Sequence, residues 1–116
     1  MTGVRTFANI SVSPRKPMRV ISRRRLREFW GRHADAEEPL LHWYRVTRKA
    51  QWQHLADARR DFRHADPVGA CVVFNVGGNK FRLITAIKYK RRTVYVLKVM
   101  THKQYSTEDW ENECHC

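Results

Sequence analysis

The sequence has no long apolar run and few acidic residues. No stretch reaches the roughly 18 apolar residues of a membrane span, and the first residues lack the basic start, apolar stretch and small-residue cleavage site of a signal peptide. We therefore expect a cytoplasmic chain with no membrane partner. Only 11 residues are Asp or Glu against 23 Lys or Arg, which leaves a formal net charge of +12. This balance indicates a polyanionic partner, although charge alone does not separate DNA, RNA and ribosome, and a solvated basic surface is the alternative.

Cysteine is also scarce. The three cysteines are Cys71, Cys114 and Cys116, and an odd number with two of them in the last three residues argues against a disulfide framework. The terminal "CHC" offers two thiols and His115, but a structural zinc site requires four ligands on an ordered scaffold. The sequence therefore predicts no metal site and no cofactor.

The length bounds the organisation of the chain. A chain of 116 residues with 42% hydrophobic content can bury one small core. Residues 1–17 show no helical period and are interpreted as an N-terminal extension, disordered or not native. Met18 then opens a strand-like "MRVIS". We expect one domain over residues 18–113, followed by a tail at residues 114–116.

Three helices are predicted in the first half of the chain. Ser22 can cap a helix that ends near residues 31–33 and carries Leu26, Phe29 and Trp30 on one face. Acidic residues in "DAEEPLLHWYRVTRKA" favour the start of a second helix. A shorter helical element follows in "QWQHLADARRDF". The aromatic side chains of these segments are interpreted as core residues that pack against a sheet.

Three strands are predicted in the second half. The segments "CVVFNV", "KFRLITAIKY" and "TVYVLKVM" are rich in β-branched and aromatic residues and are separated by "GGN" and "KRR", which predicts an antiparallel meander. Ser106 is expected to cap a short closing helix. The fold class is therefore α+β, with N-terminal helices packed on one face of a twisted antiparallel sheet. The other face is expected to carry basic residues.

Four segments resemble a known family in order and spacing: "MRVISRRRLREFW", "AEEPLLHWYR", "VVFNVGGNKFRLITAIKY" and "VYVLKVMTHKQY". They are similar to the HigB family of type II toxin–antitoxin toxins, which belongs to the RelE-like group of ribosome-dependent messenger-RNA interferases. The resemblance extends from Met18 to about Trp110, and its most specific feature is the joint occurrence of "FNVGGNKFRL" and "THKQY". The family commonly has an acid after the tyrosine, where this chain has Ser106. Because serine also caps helices, the expected fold is unchanged.

The resemblance implies a RelE-like fold and an endoribonuclease that cleaves messenger RNA without a metal, inhibiting translation. Such cleavage uses the ribose 2′-hydroxyl as nucleophile, a group that accepts its proton, a group that protonates the departing 5′-oxygen, and cations on the phosphate. His102 is the candidate for proton transfer because an imidazole exchanges protons near neutral pH. Tyr105 is expected to stack on a base or orient the phosphate, or alternatively only to attach the last helix to the sheet. Arg82, Lys88 and Lys98 are expected to hold the phosphate.

Further polar residues of the sheet are candidates for RNA binding. Lys80, Lys88 and Lys90 supply positive charge, although Lys88 and Lys90 could equally belong to an ordinary solvated turn. Asn79 could contact RNA or serve the turn through its tolerance of left-handed backbone. Asn75 lies within a strand and has less structural reason to be there, so we expect it to contact a base.

The resemblance also implies partners. They are a helix-turn-helix antitoxin of the HigA type, messenger RNA on the ribosome, and operator DNA only through the complex with the antitoxin. Two other classes of function remain open. A non-catalytic RNA- or ribosome-binding module would use the same basic face without cleaving RNA. A DNA-binding regulator would place its basic residues on a recognition helix, and the sequence has no such signature.

Overall fold

The computed structural model describes residues 17–107 and 110–114. The expected extension therefore lies outside the described residues except for Pro17, as do residues 108–109 and 115–116. These residues form five strands and four α-helices. In chain order they are β1 (Arg19–Ile21), α1 (Arg23–Arg32), α2 (Glu37–Lys49), α3 (Leu55–Asp61), β2 (Asp66–Val68), β3 (Cys71–Val76), β4 (Phe81–Lys88), β5 (Thr93–Thr101) and α4 (His102–Thr107). Short 3-10 helices span Ala34–Ala36, Tyr89–Arg91 and Trp110–Cys114. The predicted α+β class and the three N-terminal helices are confirmed.

The five strands form one sheet in the order β1-β5-β4-β3-β2. Strands β3 to β5 pair antiparallel, as the meander prediction required, with Gly77 and Gly78 at positive φ in the β3–β4 turn. Strand β2 also pairs antiparallel with β3. The "MRVIS" strand also forms, but it pairs parallel with β5, Val20 opposite Val94. The sequence did not predict β2, because it is only three residues long and contains Pro67, which an edge strand tolerates.

The main core lies between the helices and one face of the sheet. Leu40, Trp43 and Thr47 follow one stripe of α2 and are fully buried. The Trp43 ring meets Phe74 of β3 edge-on at 5.5 Å between centroids, and Trp52 stacks on Phe74 at 6.0 Å. These contacts confirm that the aromatic residues of the helical half build the core.

The second face of the sheet carries Arg82 and Lys98, as expected, but it is also apolar near its centre. Val73, Ile84 and Met100 are buried there beneath Trp110 and Cys114. The strand "CVVFNV" lacks a polar alternation because both of its faces are covered for most of its length. None of the helices in the described ranges has the length and apolar composition needed to cross a membrane.

Cys71 and Cys114 form a disulfide bond, which corrects the expectation that the chain has no disulfide framework. The bond holds the last 3-10 helix against β3, and Ala70 N–H donates a hydrogen bond to the Cys114 carbonyl at 2.9 Å. Gly69 has positive φ and lies so close to that carbonyl that a Cβ atom would clash with it. Cys114, expected in the tail, is therefore part of the fold, while Cys116 lies outside the described residues.

Candidate functional site

Arg82 on β4 is the centre of the candidate site. Arg82 is only 7% exposed, yet among the described residues no carboxylate forms an ion pair with it. Nη1 donates to the carbonyls of Asn79 and Phe81 at 3.2 Å each, and Nη2 donates to Asn79 Oδ1 at 2.7 Å. Neutral acceptors thus hold the guanidinium without cancelling its charge. Such a group favours an incoming anion.

His102 lies directly beside Arg82. The distance between Arg82 Nη2 and His102 Nδ1 is 3.3 Å. Because a guanidinium can only donate, this contact requires Nδ1 to accept, which places the imidazole proton on Nε2. The backbone also anchors the residue, since His102 N–H donates to the Lys80 carbonyl at 2.8 Å. The side chain remains exposed and accessible to a substrate.

A capping box determines where α4 begins. Gln104 N–H donates to Thr101 Oγ1 at 3.1 Å, and Thr101 N–H donates to Gln104 Oε1 at 3.0 Å. His102 is consequently the first residue of the helix, immediately after β5. Ser106, which was expected to cap a closing helix beginning after it, instead lies inside α4.

Tyr105 lies one turn further along α4 and faces Arg82. The guanidinium carbon of Arg82 is 5.2 Å from the centroid of the tyrosine ring. On its other side the ring stacks on Trp110 at 4.7 Å, and Trp110 Nε1–H donates to the Tyr105 carbonyl at 2.9 Å. Burial, with smaller effects of Asp66 and Glu111, raises the pKa of Tyr105, and the charge of Arg82 opposes them. The phenol is therefore protonated at neutral pH and can donate a hydrogen bond.

Lys98 on β5 lies near this group. It pairs with Ile84, while Arg82 pairs with Met100, so Lys98 and Arg82 are diagonal cross-strand neighbours. Lys98 also lines a cleft of about 250 Å³ together with Arg25, Arg32 and Gln104. Glu28 lines the same opening, so three cations, one carboxylate and the capping residue of α4 border it beside the His102 group.

The remaining predicted residues are divided between the two ends of the sheet. Asn75 is exposed and pairs directly with Arg82, and Lys80 Nζ contacts Asp35 Oδ2 at 3.4 Å, so both lie at the His102 end. Lys88 and Lys90 lie at the opposite end, around the β4–β5 turn. Lys88 is six residues from Arg82, or roughly 20 Å along the strand, so the prediction that these two hold a single phosphate is wrong.

Two supporting residues were not identified in this role from the sequence. Asn79 holds the guanidinium of Arg82, and Trp110 holds the ring of Tyr105. Both roles depend on side-chain directions across a turn, which residue spacing does not reveal. Among the described residues, no group of three or more His, Cys, Asp or Glu side chains could hold a metal ion.

Comparison with known proteins gives a family match. A model of the HigB toxin family, described as the RelE-like toxic component of a toxin-antitoxin system, matches residues 36–108, which include Arg82, His102 and Tyr105. Similar relatives are the mRNA interferase toxin HigB of Escherichia coli strain K12 and the mRNA interferases HigB of Escherichia coli O157:H7 and Shigella flexneri. Each is 46% identical over 33 residues, which are 28% of this chain and 32% of the relative. The match to these curated relatives thus spans about a third of their length.

Proposed function

Since the chain belongs to the HigB toxin family, the RelE-like toxic component of a toxin-antitoxin system, we propose that it is a ribosome-dependent endoribonuclease that cleaves messenger RNA. Cleavage in the cytoplasm would stop translation and growth. The observation that carries the proposal is the buried, charge-uncompensated Arg82 between His102 and Tyr105. A guanidinium in this state is suited to a phosphodiester, and a proton-exchanging side chain lies within hydrogen-bonding distance of it.

The reaction begins with exchange of the hydrogen bonds of Arg82. The scissile phosphate accepts the N–H of Nη2 that otherwise points to His102 Nδ1, which frees the Nδ1 lone pair. The ribose 2′-oxygen attacks phosphorus while the imidazole takes its proton, and the bond between phosphorus and the 5′-oxygen breaks. The departing 5′-oxygen then receives a proton from the imidazolium, or from water that the imidazolium reprotonates, so the products are a 2′,3′-cyclic phosphate and a 5′-hydroxyl. No cofactor enters this scheme.

Cations and a neutral phenol stabilise the transition state. Arg82 and Lys98 lie on one face of neighbouring strands and offset the negative charge that grows on the phosphate. Tyr105 donates a hydrogen bond to a phosphate oxygen, because Arg82 and Trp110 already lie against its ring. Asn75 and Lys80 border the same end of the sheet and contact the adjoining nucleotides.

The family also suggests the partners. We propose that an antitoxin of the HigA type, a helix-turn-helix protein, neutralises this toxin, and that operator DNA is bound only through their complex. An acidic segment of such an antitoxin would complement the exposed cations of the site. Messenger RNA would be presented in the decoding site of the ribosome.

Primer extension tests the proposal. A reporter messenger RNA is translated in a reconstituted reaction with wild-type protein or His102→Ala, with and without ribosomes. We expect new 5′ ends only with wild-type protein and translating ribosomes. Blocked translation without new ends would instead indicate a non-catalytic ribosome-binding module. New 5′ ends that persist with His102→Ala would show that His102 takes no part in the cleavage reaction.

A further inference from the structure

We infer that the protein has a second RNA-binding surface, at the opposite end of the sheet from His102. This distal basic surface consists of Arg19, Arg23, Tyr44, Arg45, Arg48 and Lys49. Its occupant is an unpaired RNA strand, with phosphates on the arginines and a base on the Tyr44 ring. The surface goes beyond the cleavage site proposed above and does not depend on it.

Three backbone segments meet at this end. Met18 N–H donates to the Ala50 carbonyl at 2.9 Å, which joins β1 to the end of α2. Arg19 N–H donates to the Arg92 carbonyl at 2.7 Å, which joins β1 to the β4–β5 turn. Arg19 is paired with Thr93 at the start of β5, and His102 follows the end of that strand. The two sites are therefore roughly 30 Å apart along β5.

The segments that carry this surface contain few acidic residues. All 11 acidic residues of the chain lie outside residues 1–27, 39–56 and 67–107, so β1, most of α2 and the β3–β5 meander contain none. Within the described ranges, ion pairs form at Arg24, His54, Arg60 and Lys80, and none includes a cation of the distal basic surface. A polyanion would gain more from such a patch than from one laced with carboxylates.

Helix stability explains only part of this arrangement. Arg48 and Lys49 occupy the last turn of α2, where positive charge is favourable. Arg23 occupies the first turn of α1, which has no acidic residue and where positive charge is unfavourable. The position of Arg23 therefore follows from its contact with the Tyr44 ring and not from the helix dipole.

Tyr44 supplies the feature that selects an unpaired strand. Its ring is partly buried and has two guanidiniums close by, with Arg23 Cζ at 5.4 Å and Arg48 Cζ at 5.8 Å from the centroid. Two clefts of about 430 and 460 Å³ border it and share Pro17, Tyr44 and Arg48. Aromatic rings combined with arginines along an open groove are typical of sites that stack unpaired bases and track a phosphate backbone.

Binding of a fluorescein-labelled oligouridine, measured over a range of salt concentrations, tests this inference. All proteins carry His102→Ala so that cleavage does not affect the readout, and the nuclease proposal can fail while this one stands. The variants are Tyr44→Ala, Tyr44→Phe and the double variant Arg45→Gln/Arg48→Gln. The control is Arg60→Gln/Arg63→Gln, which removes the same charge from α3 and the turn that follows it.

We expect the Arg45→Gln/Arg48→Gln variant to weaken binding and to lower the slope of log affinity against log salt by about 1.4, or about 0.7 for each cation. Tyr44→Ala should weaken binding roughly fivefold or more with little change in slope, whereas Tyr44→Phe should bind as the parent does. The double variant keeps the inference testable if Tyr44→Ala impairs folding.

Two results would overturn the inference. One is equal weakening by the control and by the Arg45→Gln/Arg48→Gln variant, which would make the effect one of net charge. The other is tighter binding of poly-glutamate than of oligouridine, lost in the same variants, which would assign the surface to an acidic protein segment. A duplex of matched length should bind without dependence on Tyr44, and a duplex that depends on it equally would exclude base stacking.

Discussion

The Asn79→Asp variant distinguishes the effect of the charge of Arg82 on cleavage from the effect of its position. Asn79 Oδ1 accepts from Arg82 Nη2 at 2.7 Å, and a carboxylate of the same shape would accept the same hydrogen bond. The variant should gain about 1 kcal/mol of stability, because a charge-assisted bond replaces a bond to a neutral amide. It should lose cleavage activity, because the guanidinium is then neutralised before phosphate arrives. A guanidinium–phosphate interaction is worth about 1.5–3 kcal/mol, so the expected fall in rate is roughly 10- to 150-fold.

Two measurements are compared on the same preparations. Denaturant unfolding gives the stability, and single-turnover cleavage of messenger RNA on programmed ribosomes gives the rate. Asn79→Ala should lower both, since it removes a hydrogen bond that positions Arg82. The control is Gln53→Glu, the same amide-to-carboxylate change at an exposed position before α3. Cleavage by Asn79→Asp at the wild-type rate would refute the role given to the uncompensated charge.

Three further predictions concern the surroundings of the site. Cys71→Ser should lower the free energy of unfolding by about 4 kcal/mol, because the disulfide closes a loop with a sequence separation of 43. Denaturant unfolding with and without reductant measures this effect. A reductant that destabilises the variant as much as the wild type would contradict it. Gln104→Ala should cost about 1 kcal/mol of stability and slow cleavage, whereas Gln104→Glu, which keeps the capping box, should restore both. Burial raises the pKa of Tyr105 above its unfolded value near 10. The stability that the protonated phenol contributes is therefore complete below pH 10 and is lost as pH rises through the folded pKa. Above pH 10, Tyr105→Phe should accordingly lose less stability than wild type. Parallel stability curves above pH 10 would contradict this last prediction.

Local patterns were sufficient to predict most of the elements. The spacing of Leu26 and Phe29 predicts the buried face of α1, and both are buried. The run "CVVFNV" shows why the second face was misjudged: a strand that is apolar at consecutive positions is covered on both sides. The pairing of β1 with β5 brings together residues more than 70 positions apart, and three residues contain no signal for it.

The candidate site was predictable in its residue types but not in its arrangement. The pattern "THKQ" is a capping box, and it could have placed the helix start at His102 directly. Strand parity placed Arg82 and Lys88 on one face, but parity says nothing about their distance along the strand. The support of Arg82 by Asn79 depends on the path of the β3–β4 turn, which only the folded chain shows.

We propose that this chain's own side chains cleave RNA through the ribose 2′-hydroxyl. The most direct test is a messenger RNA with a single 2′-deoxynucleotide at the mapped cleavage position, offered on programmed ribosomes. We expect cleavage at that position to disappear while cleavage of the all-ribose control continues, with a 2′,3′-cyclic phosphate at the new 3′ end. Undiminished cleavage of the deoxy-substituted RNA would contradict it.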